Sequence, residues 1–156
     1  KIRGAYNKMR NLTEEQLTNG VIASSAGNHA QGVALSALKL NTTATIVMPL
    51  TTPLVKVNAV KELKADVILF GENYDESHME ANRLSNERNL AFIHPFDDID
   101  VIAGQGTIGI EIISQLSHPP NSIYIAVGGG GLIAGISLYL KEIWPELKII
   151  GVEIAK

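Results

Sequence analysis

The chain has 156 residues, 46% of them hydrophobic and 19% charged, with a formal net charge of −3. That composition is globular, with room for a real core in one domain or in parts of two. The mild acidity gives no reason to expect nucleic acid or a membrane surface. With no cysteine, the chain can form neither a disulfide framework nor a cysteine-based metal site or nucleophile.

Taken in order, short β-branched or apolar runs predict strands at 21–25, 44–48, 66–70, 91–94, 122–127 and 148–153. Amphipathic or Ala/Leu-rich segments predict helices at 28–40, 54–63, 75–89, 101–116 and 132–143. Thr13 precedes Glu14 and Glu15 as a predicted helix N-cap. Pro49 and Pro53 bracket the entry to the second predicted helix, and Pro119, Pro120 and Pro145 mark later stops. Strands alternating with helices of this length predict an α/β protein with open, twisted parallel sheets and crossover helices. The unit at 94–116 is longer than the others and is predicted to cross between two sheets. The apolar runs are too short to span a bilayer. No signal or transit segment is visible, but the chain starts at Lys1 rather than Met and reads as an internal fragment, so that absence carries little; a cytoplasmic or organellar setting is expected.

Two strand–turn–helix junctions carry the chemistry. The first is Ser24-Ser25-Ala26-Gly27-Asn28-His29-Ala30-Gln31-Gly32. Its small residues and the helix that follows suit an anion, with Asn28 as a side-chain N-cap and Gly27 allowing close approach. The second is Gly128, Gly129, Gly130 and Gly131, followed by Leu132. Four glycines between a strand and a helix leave backbone amides open to a phosphate. Gly129, Gly131 and Ala134 also fit G-x-G-x-x-A, with Glu153 about 20 residues on, which is the pattern of a dinucleotide-binding oxidoreductase. No Lys-Ser/Thr follows the glycines, so this is not a Walker loop. His29, His78, His94 and His118 lack metal-ligand spacing, and His78 and His118 read as surface or hydrogen-bonded imidazoles. Ser24 and Ser25 have no evident His–Asp system. From the residues alone, the chain has two helix-terminal anion sites suited to a phosphorylated cofactor, and Lys1 reads as a surface residue.

Taken together the motifs resemble those of the fold-type II pyridoxal-phosphate enzymes. Lys1-Ile2-Arg3-Gly4-Ala5 is similar to their lysine segment, and Ser25 through Gly32 to their substrate-binding asparagine loop. His94-Pro95-Phe96-Asp97-Asp98, with Val101 through Thr107, is similar to their domain-crossing segment, and the four glycines to their phosphate loop. The match is nearest to the threonine dehydratase branch.

The resemblance implies roles for particular residues. Lys1 would bond covalently to pyridoxal 5'-phosphate and then serve as acid and base at the substrate Cα. Gly128, Gly129, Gly130, Gly131 and Leu132 would hold the cofactor phosphate, which would help protonate the leaving hydroxyl. Asn28 would bond the ring hydroxyl oxygen. Ser25, Ala26, Gly27, Asn28 and His29 would hold the substrate carboxylate, largely through backbone amides. The implied reaction is the deaminating dehydration of threonine, and more weakly of serine, to a 2-oxo acid and ammonia. A serine dehydratase or serine racemase is the near alternative, and an NAD-binding oxidoreductase or a non-catalytic binding module the distant one. Racemases of this fold carry a serine where Ala26 stands, so elimination without racemisation is expected. Glu153 aligns with an acid that in some relatives ligates a cation, divalent or monovalent, with the other ligands beyond Lys156.

The resemblance further implies two interleaved domains. Residues 19–95 would form a small substrate-binding domain, and 1–18 with 96–156 part of a large cofactor-binding one. Against the family the chain lacks N-terminal strands, the later contact to the pyridine nitrogen and any regulatory domain, so poor activity is expected of it alone. The complete protein would be a homo-oligomer acting on a small amino acid.

Overall fold

The computed structural model describes residues 1–154. Helices α1 (Ile2–Arg10) and α2 (Glu14–Asn19) lead into strand β1 (Val21–Ser24). There follow α3 (Asn28–Leu40), β2 (Ala44–Met48), α4 (Leu54–Glu62), β3 (Asp66–Leu69), α5 (Tyr74–Arg88) and β4 (Ala91–Phe92). Helix α6 (Ile99–Gln115), β5 (Ser122–Ala126), α7 (Gly131–Ile143) and β6 (Lys148–Val152) complete the described elements. All six expected strands form, at nearly the expected limits. The expected crossing is α6, which leads from the first sheet to the second.

The first sheet has the order β3-β2-β1-β4 and every pairing in it is parallel. β1 lies inside and is completely buried along its length, which explains its unbroken apolar run. Its alternate residues go to opposite faces. Val21 and Ala23 meet Ala30, Val33, Ala34 and Ala37 of α3, while Ile22 meets Ala81 and Leu84 of α5. The alanines of α3 therefore let the helix lie close on the sheet. The second sheet pairs β5 with β6 in parallel, and Ile125 packs with Ile136 and Leu140 of α7.

The sequence reading did not foresee α1. The helix runs between α3 and α6, and its buried residues are Gly4, Ala5 and Met9. Glycines set the spacing on both sides. A Cβ at Gly104 of α6 would come within 2.5 Å of the Arg3 carbonyl oxygen and 2.7 Å of Gly4 Cα. A Cβ at Gly32 of α3 would come within 3.3 Å of the Ile2 backbone. The Gln105 side chain, 3% exposed, accepts the Gly4 N–H at 2.8 Å through Oε1. The backbone just after Lys1 is thus gripped from two directions.

Candidate active site

In a parallel sheet, ligands gather at the carboxyl ends of the strands, where the strand order reverses direction. Here that point lies between β1 and β4: the chain moves from β1 outward to β2 on one side, while β4 lies on the other. The Ser25–Asn28 turn leaves β1 there, and His94, Pro95 and Phe96 leave β4. The glycine turn leaves the carboxyl end of β5 in the second sheet.

The asparagine loop differs from expectation at its cap. Gly27 is the N-cap of α3, and Asn28, its first helical residue, makes no side-chain cap bond and is exposed. The amide side chain is thereby left for another partner. The Ser25 hydroxyl accepts the Gly27 N–H at 3.2 Å and closes the turn on itself. The first backbone bond into the helix runs from Gln31 N–H to Gly27 O, at 3.4 Å. The amides of Asn28, His29 and Ala30 are then first-turn donors, at the positive end of α3.

His29 is 3% exposed, and its Nε2 lies 2.9 Å from the Ile93 carbonyl oxygen. That oxygen can only accept, so Nε2 carries the proton, and Nδ1 is a buried acceptor without a protein partner. Burial, and then the nearby Lys1 and His94, lower the imidazole to about 4. The side chain is a neutral strut between the loops after β1 and β4.

Lys1 is an exposed residue, but its amine is not free. Its Nζ donates to the Pro95 carbonyl oxygen at 2.7 Å and lies 6.0 Å from the centre of the Phe96 ring. Desolvation lowers its pKa below the ordinary lysine value, as an amine acting as a base near neutrality requires. Lys1 and Asn28 line one cavity of about 500 Å³ with Gln31 and Leu35. A larger cleft of about 620 Å³, between Pro119 and Trp144, shares no lining residue with it.

The glycine turn does not line the cavity at Lys1. It meets the rest of the site through Phe96, whose ring takes the space a Cβ on Gly129 would need and whose backbone lies 2.9 Å from a Cβ position on Gly131. Gly130, with φ of 90°, is the N-cap of α7, and α7 begins at Gly131, one residue earlier than expected. Ala134 N–H to Gly130 O, at 2.9 Å, is the first backbone bond into α7, so Gly131, Leu132 and Ile133 present first-turn amides. The Leu132 side chain itself packs into the core of the second sheet. A Cβ on Gly128 or Gly130 would meet nothing within 4 Å, so the turn is open to a group from outside.

Glu153 follows the end of β6 and is exposed. Among the described residues no three His, Asp or Glu side chains come together as a metal site. His78 is partly buried rather than on the surface. It stacks on Tyr74 and meets Phe92 and His94 edge-on, at ring-centre distances of 5.6, 5.3 and 6.2 Å. Sequence reasoning missed Phe96, Gln105 and the imidazole of His94 as site-forming groups: Phe96 and Gln105 act on residues distant in the chain, and His94 closes a local turn that no strand or helix pattern marks.

The fold and the site define a class: a parallel α/β protein that sets a desolvated lysine amine beside one helix N-terminus and, through Phe96, next to a second. Residues 1–156 match the family described as pyridoxal-phosphate dependent enzyme, and the chain belongs to that family. It is 59% identical over 155 residues to a chloroplastic biosynthetic threonine dehydratase of Arabidopsis thaliana, covering 99% of this chain and 26% of that protein. It is 60% identical over 154 residues to a mitochondrial threonine dehydratase of Schizosaccharomyces pombe, covering 98% of this chain and 26% of that protein. The chain thus spans about a quarter of the length of these curated relatives. The processed form of threonine deaminase isoform 2 from Solanum lycopersicum superposes with a TM-score of 0.93 at 55% identity, covering 97% of this chain and 44% of that one. Maize serine racemase superposes with a TM-score of 0.94 at 36% identity, covering 98% and 46%. No helix among the described residues is long and apolar enough to cross a membrane.

Proposed function

We propose that the chain carries the lysine, carboxylate-binding and phosphate-binding parts of an enzyme that dehydrates and deaminates threonine, and serine less readily. The products would be 2-oxobutanoate, or pyruvate, and ammonia. The observation that carries this reading is the Lys1 amine, desolvated, fixed on the Pro95 carbonyl and sharing a cavity with Asn28. The identity to threonine dehydratases over the whole chain supports the substrate class.

The residues fit pyridoxal phosphate. Gly128 and Gly130 face open space, so a phosphate can reach the backbone amides at the N-terminus of α7 without displacing a side chain. Asn28, free of a capping role, would bond the ring hydroxyl oxygen. When bound, the cofactor supplies an electron sink for the carbanion left at the substrate Cα.

The rest is the work of the chain itself. The amides of Asn28 and His29, with the turn formed by Ser25, Ala26 and Gly27, hold the substrate carboxylate at the positive end of α3. Lys1 takes the Cα proton, and its lowered pKa keeps a larger fraction of the amine neutral for that step. Ala26 has no exchangeable side-chain proton, so its side chain cannot reprotonate the opposite face, which argues against racemisation. We also infer that residues 19–95 move as a small domain against 1–18 and 96–156, closing the asparagine loop onto the substrate.

The test uses the complete natural protein with pyridoxal phosphate. A visible absorption band of the lysine-linked cofactor is expected, shifting on addition of threonine, with 2-oxobutanoate as product. Lys1→Ala is expected to abolish both. Saturable NADH binding with no such band would overturn the reading.

A further inference from the structure

The segment that leaves β4 meets Lys1, His29 and the glycine turn of the proposed site. Ile93 N–H donates to Ile22 O of β1 at 2.8 Å, and Ile93 O accepts from His29. Pro95 O accepts from Lys1, and Phe96 packs on Gly129 and Gly131. Asp98 then accepts the Asp100 and Val101 N–H groups at the start of α6 and pairs with Lys8 at 2.8 Å. A turn with so many duties must itself be held. From within the turn it is held by His94, whose Nδ1 accepts the Asp97 N–H at 2.8 Å and the Phe96 N–H at 3.3 Å. Two donors converge on Nδ1, so that nitrogen holds a lone pair and the proton sits on Nε2. The ring also meets Phe96 edge-on, with centres 4.7 Å apart.

We propose that His94 is a positioning residue for Lys1: by capping the 94–97 turn it fixes the Pro95 carbonyl that holds the lysine amine and the Phe96 ring that sets the glycine turn beside it. The inference rests on the function proposed above. His94 acts through Pro95 and Phe96. The required group is an acceptor one short side chain away from the amides two and three residues on. An asparagine can supply it in an Asx turn, whereas a glutamine sets its acceptor one methylene too far. Leucine supplies none.

The experiment compares His94→Asn, His94→Gln and His94→Leu in the complete natural protein. Turnover of threonine and the reactivity of Lys1 toward acetic anhydride in the cofactor-free enzyme are both measured. For Gln and Leu, kcat is expected to fall about tenfold to a hundredfold, the scale of a misplaced reacting group, with a smaller change in KM. The Lys1 amine in these variants is expected to label with a higher apparent pKa, because a loosened turn lets water reach it and relieves the desolvation that lowers it. His94→Asn is expected to restore most of both properties. Equal behaviour of Asn and Gln, or unchanged Lys1 labelling in both Gln and Leu, would overturn the proposal. Should His94→Leu fail to fold, the Asn and Gln pair still decides it. Absence of the cofactor band in the wild-type protein would instead sink the functional reading, while the labelling comparison would still report on the turn.

Discussion

The ring of Phe96 lies where a side chain on Gly129 would have to go. The two residues are joined by shape: one must be a glycine because the other is aromatic. Gly129→Ala is therefore expected to destabilise the protein by about 1–3 kcal/mol, the usual cost of overpacking. Trimming the ring with Phe96→Leu should recover part of that loss. Urea unfolding of the two single variants and the double variant measures the coupling, and strict additivity would mean that the residues do not touch.

Gly128 gives the complementary case. A Cβ there meets nothing within 4 Å, so Gly128→Ala should leave stability unchanged within about 0.5 kcal/mol. If the turn seats the cofactor phosphate, the added methyl intrudes on the amides that hold it. Loss of a hydrogen bond to a charged group predicts an affinity for pyridoxal phosphate about tenfold to a hundredfold weaker. Equilibrium titration of the cofactor-free protein checks this. Unchanged affinity would place the phosphate elsewhere.

The spacing of α1 and α6 sets the height of Lys1. A methyl at Gly104 would press on the Arg3 carbonyl and Gly4 Cα, both backbone, so neither side can yield without moving a helix. Gly104→Ala is expected to cost about 1–3 kcal/mol in urea unfolding and to lower kcat as Lys1 shifts. A variant with native stability and native turnover would show that the helices separate freely.

The strands were legible in the sequence because each is a short apolar run between turn residues, a signal that lives within a few positions. The Thr13 cap was legible for the same reason, and its side chain does accept the Gln16 N–H. The reading failed where the determinant is distant. Helix α1 was within reach of the sequence, since Ile2, Ala5, Tyr6 and Met9 recur at helical spacing, but its place between α3 and α6 depends on distant glycines. Lys1 looks like any surface lysine until Pro95, 94 residues on, is brought to its amine. Strand β4 stops at Phe92, two residues short of expectation. Just beyond it, the chain at 94–97 bends into a turn held by the His94 ring. Asn28 was read as a cap from its type alone, but Gly27 occupies that position.

Buried His29 makes stability depend on pH, and the sign follows from its lowered pKa. An unfolded histidine takes up a proton near 6.5, while the folded one does so only at about 4. Between these values the unfolded chain binds the extra proton, so acid favours unfolding. The contribution is complete above the unfolded pKa and is lost as pH falls toward the folded one, reaching about 2 kcal/mol near pH 5. His29→Gln, whose amide can still donate to Ile93 O, should flatten this part of the profile. Denaturant titrations of both proteins at several pH values test it. The same slope in both would show that other groups carry the acid sensitivity.

If the complete protein carries the proposed activity, Ala26 is expected to decide the stereochemical outcome. It sits in the turn between the Ser25 hydroxyl, which accepts from Gly27, and the first-turn amides of α3. A methyl at this position can neither give nor take a proton. On the proposed function, a Cα deprotonated by Lys1 would be reprotonated only from the lysine side, which returns the original enantiomer, or lose its β-hydroxyl. Incubating L-serine with the complete enzyme in deuterated water should yield pyruvate, with any recovered serine remaining L. Ala26→Ser supplies a hydroxyl at that turn and is expected to make D-serine measurable by chiral chromatography while elimination continues. Abundant D-serine from the wild-type enzyme would mean that another group protonates the second face. In that event the maize racemase would be the better functional guide, although it shares fewer residues with this chain than the threonine deaminase from Solanum lycopersicum does.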